Sequence, residues 1–178
     1  MGELKKVLAY LIELKFTPIV DNFEDKLIIQ KMVCLLKLMG TDTDLGYPFS
    51  LYVRGPYSPE LTADLYNNKD MVNNLKTDYV ISEKEKQQLH VLYEISDNLD
   101  STLLEIMATY AFFVMDLHNN EKEALINLKK LKPFYSESRI AVGVSRAKQL
   151  LFKPTEKEIE KMKSEFNDWQ DAGITDQK

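Results

Sequence analysis

One cysteine, two histidines and three arginines are all that the 178 residues offer of the side chains that most often do chemistry. A lone Cys34 excludes an internal disulfide and a cysteine-based zinc cage. His90 and His118 are too few to build a histidine-rich metal site. Six glycines and six prolines argue against a loop-rich or repeat-turn architecture. The most apolar run, Ile106 to Met115, falls short of the ~20 residues a membrane span needs and is flanked by Glu105 and Asp116. The opening Met1-Gly2-Glu3-Leu4-Lys5-Lys6 leads into an apolar stretch broken by Glu13 and Lys15, which lacks the uninterrupted apolar core of a secretory signal. With 23 basic against 28 acidic residues the formal charge is −5, the wrong sign for non-specific nucleic-acid binding. The expectation is a cytoplasmic globular chain with no membrane segment and no basic face for non-specific nucleic-acid binding.

Phosphate-cradling glycine loops, a nucleophile elbow and an H-E-x-x-H helix are all missing, so no cofactor, metal or catalytic residue is expected. Cys34 sits in the most apolar helical stretch and reads as core, because a nucleophile needs exposure and a nearby base. His90 reads as a helix-surface residue. His118 falls at a helix end, where the partial negative charge favours a cation.

What the chain does have is helical periodicity. Leu4, Val7, Leu8, Leu11 and Leu14 form one stripe, with Pro18 expected to end that helix. Asp21 and Glu24 have capping-box spacing ahead of a helix from Glu24 to Met39, apolar on nearly every side and therefore central. Tyr47 to Val53 is aromatic and β-branched with alternation at Phe49, Leu51 and Val53, a strand reading, and Gly55-Pro56 is expected to break it. Ser58-Pro59-Glu60 opens the next helix as N-cap, first helical position and first-turn acid. Asp78–Ile81 is short and β-prone and is expected to pair with Phe49–Val53. From Glu83 the pattern is helical throughout: Ser82/Glu85, Asn120/Glu123 and Thr155/Glu158 are capping-box pairs, and Ile159, Met162, Phe166 and Trp169 share the last stripe.

The candidate site is Tyr52, Arg54, Tyr57, Ser58 and Glu60. Arginine presents a rigid fork suited to carboxylate or phosphate, and Arg54 stands just ahead of a helix N-terminus, which attracts anions. The spacing favours a structural reading over a recognition site, with Arg54 pairing with Glu60 or Asp64. Lys129, Lys130, Lys132, Arg139, Arg146 and Lys148 form a second basic grouping, diluted by Glu121, Glu123 and Glu137.

Ile29-Gln30-Lys31-Met32-Val33-Cys34-Leu35 followed by Phe49-Ser50-Leu51-Tyr52-Val53-Arg54-Gly55-Pro56-Tyr57-Ser58-Pro59-Glu60-Leu61 resembles the Panacea-domain family, which includes SocA-like antitoxins and YwgA-like proteins. Asp64-Leu65, Leu104-Glu105 with Ala108-Thr109, and Lys132-Pro133 with Ser136 extend the likeness over roughly Asn22 to Leu151. Cys34 departs from it, since relatives tend to carry tyrosine there. The resemblance implies a protein that binds and neutralises a toxin or delivers it to a protease, and it brings no catalytic residues.

The resulting expectations are a mainly α fold of about eight helices with a two-stranded element (Phe49–Val53, Asp78–Ile81). Residues 1–151 form the domain, 152–172 a C-terminal helix and 173–178 a polar tail. The function expected is a non-catalytic protein-interaction module, antitoxin-like or adaptor-like, with a toxin or protease as partner and homo-oligomerisation left open. Alternatives are a winged-helix-like DNA-binding regulator and an enzyme acting on an anionic substrate.

Overall fold

The computed structural model describes residues 2–151 and, beyond them, residues 160, 161, 163–165, 167 and 168. The Thr155/Glu158 cap, the Ile159, Met162, Phe166 and Trp169 stripe and the tail from 173 lie outside the described residues.

The first apolar stripe forms α1 (Leu4–Glu13), which buries Val7, Leu8 and Leu11. It ends before Pro18: Leu14 is its C-cap, and Lys15 turns the chain away at φ +54°. α2 (Phe23–Met39) follows, capped by Asn22, whose side chain accepts from the Asp25 N–H at 3.0 Å. The expected Asp21 cap is thus displaced by one residue, and Asp21 pairs with Lys69 on the surface. Nine consecutive residues of α2, Ile28 to Leu36, are buried, as a helix apolar all round should be.

A short 3-10 turn (Thr41–Thr43) leads to a hairpin of β1 (Ser50–Tyr52) and β2 (Gly55–Tyr57), antiparallel with Tyr52 opposite Gly55. The second strand is thus not Asp78–Ile81, and Gly55-Pro56 continues the sheet where a break was expected. Two causes are visible. Gly55 takes φ +92°, a conformation that lets the chain reverse two residues after Tyr52. Meanwhile side chains tie the later segment to other helices: Asp78 pairs with Lys5, and the Tyr79 hydroxyl donates to Glu85 at 2.9 Å.

Four helices continue from the hairpin: α3 (Pro59–Asn67), α4 (Lys69–Asn73), α5 (Glu83–Ile95) and α6 (Ser101–Met115). Ser58 caps α3 with Pro59 in its first turn, and Ser82/Glu85 make the full capping box of α5. α5 stops at Ile95, and Asp97, Asn98 and Leu99 all adopt positive φ in the turn to α6. α7 (Glu121–Leu131) opens on the Asn120/Glu123 box, and α8 (Glu137–Leu151) completes the described helices.

α6 buries eleven consecutive residues, Leu103 to Phe113, and packs chiefly on α2 and α8. The α8 approach depends on Gly143, where a Cβ would stand 2.2 Å from the Ile106 Cγ2. α2 and α6 are therefore the two central helices, and the hairpin leans across both. Among the described residues there are eight α-helices, one 3-10 turn and one two-stranded sheet, the mainly helical architecture expected. No helix among them is long and apolar enough to cross a membrane.

Candidate functional site

The hairpin is held from beneath by side chains that are themselves buried. From α2, Gln30 clamps Ser58 at two points: its Nε2 donates to the Ser58 carbonyl, and its Oε1 accepts from the Ser58 N–H, both at 2.9 Å. The next residue, Lys31, donates to the Pro56 carbonyl at 2.8 Å. From α6, Thr109 lies under Gly55 so closely that a Cβ there would be 2.2 Å from its Oγ1. Glycine at 55 is required twice, for the turn and for this approach.

Glu105, one helical turn before Thr109, is fully buried and organises the charges. Its Oε2 accepts from Arg54 Nη2 at 2.9 Å and from the Tyr135 hydroxyl at 3.3 Å, and its Oε1 accepts from Lys132 Nζ at 2.5 Å. Lys132 is equally buried and reaches on to the Val53 carbonyl at 3.3 Å. Burial alone would raise the Glu105 carboxyl, but hydrogen bonds from Arg54 and Lys132 outweigh it and hold it below the usual carboxylate range. The same bond to Glu105 keeps the Arg54 guanidinium firmly charged.

Arg54 therefore pairs with Glu105, and neither Glu60 nor Asp64 is its partner. Asp64 accepts instead from the Tyr47 hydroxyl at 2.8 Å, and Glu60 is exposed on α3. The basic grouping near α7 and α8 also resolves into pairs: Lys129 with Glu137, Arg139 with Asp100, Arg146 with Asp97 and Lys148 with Glu121. Lys132 leaves that grouping for the interior. Cys34 is core, its thiol pushed up to about 12 by burial. His90 sits on the surface of α5 beside Glu13 at 3.0 Å.

Between the hairpin and the first half of α2 lies a cleft of about 340 Å³. Phe23, Leu27, Tyr52, Val53 and Tyr57 supply apolar walls, and Lys26, Lys31, Arg54, Gln30 and Thr62 supply polar groups. No carboxylate is among these lining residues. The Tyr52 and Tyr57 rings meet edge to face at 5.1 Å, and Arg54 stacks over Phe23 with its Cζ 5.2 Å from the ring centroid. At the outer end the hairpin tip is apolar and open: Val53 is 82% exposed and Tyr52 49%.

Of the five residues singled out in the sequence, Tyr52, Arg54 and Tyr57 meet at this cleft. Ser58 is buried as a helix cap and Glu60 does not line it. Sequence reasoning missed Gln30, Lys31 and Glu105 as site residues and set Lys132 in the second basic grouping instead. The signal for them was a polar residue inside an otherwise apolar run: Lys31 in the central part of α2 and Glu105 at the start of the α6 apolar stretch. Gln30, Lys31, Thr109 and Lys132 meet the Val53–Ser58 backbone, and Glu105 holds the Arg54 side chain.

Compared with known proteins, the chain matches no family model, and no curated protein and no solved structure is significantly similar to it.

Proposed function

We propose that this chain is a protein-interaction module that engages a partner through the hairpin corner, antitoxin-like or adaptor-like as the motif resemblance implies. The observation that carries the reading is an apolar, exposed tip fixed from below by buried polar and charged side chains. Val53 and Tyr52 face solvent while Lys132 and Lys31 grip the carbonyls of Val53 and Pro56. An isolated two-stranded hairpin is marginal in water; rigidifying one that presents aliphatic, aromatic and arginine side chains lowers the ordering cost of docking. Tyrosine and arginine are also the residue types enriched at binding hot spots. A toxin or a protease is the partner class the resemblance suggests. The winged-helix alternative loses the feature that motivated it, because Asp78–Ile81 is not a strand.

The test is a photo-crosslinking residue placed at Val53 and, as a control, at Val80, an equally exposed valine outside the hairpin. Both variants are expressed in cells of the source organism. A discrete protein crosslinked from position 53 and absent from 80 is expected. The purified partner should then bind the wild type at least tenfold more tightly than Tyr52→Ala or Val53→Asp, with unchanged thermal midpoints. Identical crosslinks from both positions, or equal affinity for the variants, would overturn the reading.

A further inference from the structure

Lys31 is the odd charge of the hairpin corner. Its side chain is buried, it makes one hydrogen bond, to the Pro56 carbonyl, and among the described residues no carboxylate stands within ion-pair distance of it. An ammonium carries three donors, so two N–H groups of a buried cation are left over at the base of the cleft. Glu105 does not serve them: its oxygens hold Lys132, Arg54 and Tyr135, and no hydrogen bond or ion pair joins it to Lys31. Arg54 spends one of its N–H groups on Glu105 and leaves the rest of the fork half exposed at the cleft edge. Lys26, at the other edge, is held among the described residues only by the Tyr66 hydroxyl and ring. A chain of net charge −5 has thus lined one cleft with three cations and no acid. Burying unmatched positive charge is unfavourable, and an incoming anion relieves it.

We infer that the cleft between α2 and the hairpin is a binding site for a small organic anion. Its carboxylate or phosphate head sits on Lys31 and Arg54, and its apolar body lies between Leu27, Tyr52 and Tyr57. The volume is at the lower end of small-molecule sites, and mostly apolar walls with a few convergent polar groups are their usual composition. The inference stands on Lys31 and its test needs no protein partner, so it and the docking reading fail separately.

Isotope-labelled chain is titrated at low ionic strength with phenyl phosphate, benzoate, inorganic phosphate and benzyl alcohol while backbone amide shifts are followed. Phenyl phosphate or benzoate is expected to bind below 1 mM and to shift Lys31, Gly55 and Tyr57, as an order-of-magnitude expectation for a small anchored ligand (about 4 kcal/mol). Inorganic phosphate and benzyl alcohol should each bind at least about tenfold more weakly, since each lacks one half of the ligand. Lys31→Met should weaken the organic anion about tenfold. Should that variant fail to fold, Lys26→Gln and Arg54→Gln should each weaken it severalfold, with Lys84→Gln on the far surface as an unchanged control. Burial brings Lys31 down to about 8, with Glu105 and Cys34 opposing and Lys132 and Arg54 reinforcing the fall. Affinity should therefore drop about fivefold or more between pH 7 and pH 9.5. No shift at those amides, benzyl alcohol binding as well as the anions, inorganic phosphate matching phenyl phosphate, or unaltered affinity in the variants would each overturn the inference.

Discussion

Glu85 at the start of α5 and Glu105 in the middle of α6 are both buried, yet they stay ionised by different means. Glu85 accepts from the Tyr10 hydroxyl at 2.6 Å, the Tyr79 hydroxyl at 2.9 Å and the Ser82 N–H at 2.8 Å, with Lys6 at 3.3 Å. Hydrogen bonds from these neutral donors, Tyr10, Ser82 and Tyr79, bring its carboxyl down to about 2 against the opposing effect of burial. Glu105 is held by two cations and one phenol from two separate parts of the chain, the hairpin and the α7–α8 link. The Glu85 site is a helix cap enlarged by tertiary contacts. The Glu105 site is a hub that ties the hairpin, α6 and the α7–α8 link into one unit. A neutral donor set can lose a member and remain uncharged. The charged one leaves an unmatched, fully buried ion when Glu105 or Lys132 goes.

That contrast is broken most severely by Glu105→Ala. It strands the fully buried Lys132 and should cost about 3–5 kcal/mol by denaturant unfolding. Replacing both partners, Glu105→Leu with Lys132→Met, should recover most of that loss, because removing a buried pair together leaves no orphan charge.

Glu85→Gln comes next, at about 2–3 kcal/mol at pH 7. The folded carboxyl lies near about 2 and below its unfolded value, so its contribution is complete above the unfolded value and is lost as pH falls through the folded one. The stability gap between wild type and variant should therefore close between about pH 5 and pH 2, measured by chemical unfolding across that range.

Lys31 sharpens the comparison from the basic side. Its folded value is about 8, below that of the unfolded chain, so above pH 8 the unfolded state binds the extra proton and stability rises with pH. From pH 8 to pH 9.5 the wild type should gain about 1.5 kcal/mol relative to Lys31→Met. A parallel pair of curves would show that Lys31 titrates normally.

The smallest effect is expected for Arg54→Ala. Its side chain is 48% exposed, and Glu105 keeps Lys132 without it, so the loss should be about 1 kcal/mol or less in thermal unfolding. A loss as large as that of Glu105→Ala would make Arg54 an equal member of the hub.

Local signals in the sequence carried a good part of this structure. The apolar surround of α2 and α6, the Ser58 cap and the Ser82/Glu85 and Asn120/Glu123 boxes depend on residues three or four apart, and each stands where periodicity and spacing put it. The hairpin partner was not legible, because choosing Gly55–Tyr57 over Asp78–Ile81 rests on one positive φ and on side-chain ties from Asp78 and Tyr79 to distant helices. The Arg54 partner was hidden for a similar reason. Glu60 and Asp64 lie nearby in the chain, whereas Glu105 is 51 residues away and Lys132 a further 27. Tyr52, Arg54 and Tyr57 could be picked out by residue type, while the buried residues that position them could be seen only once the helices were packed.

The way the hairpin is hung has a consequence for amide hydrogen exchange. Two strands of three residues at a protein surface would ordinarily open by themselves and exchange early. Here, lifting the hairpin means breaking the Gln30 clamp on Ser58 and the Lys31 and Lys132 grips on the backbone, and separating Arg54 from Glu105. The buried ammonium groups of Lys31, on the central helix α2, and of Lys132, paired with Glu105 on α6, would lose those acceptors. The peripheral strand and the central helix thus form one cooperative opening unit. The bonded amides of the hairpin should exchange at the pace of the α6 core, well behind those at the ends of the surrounding helices.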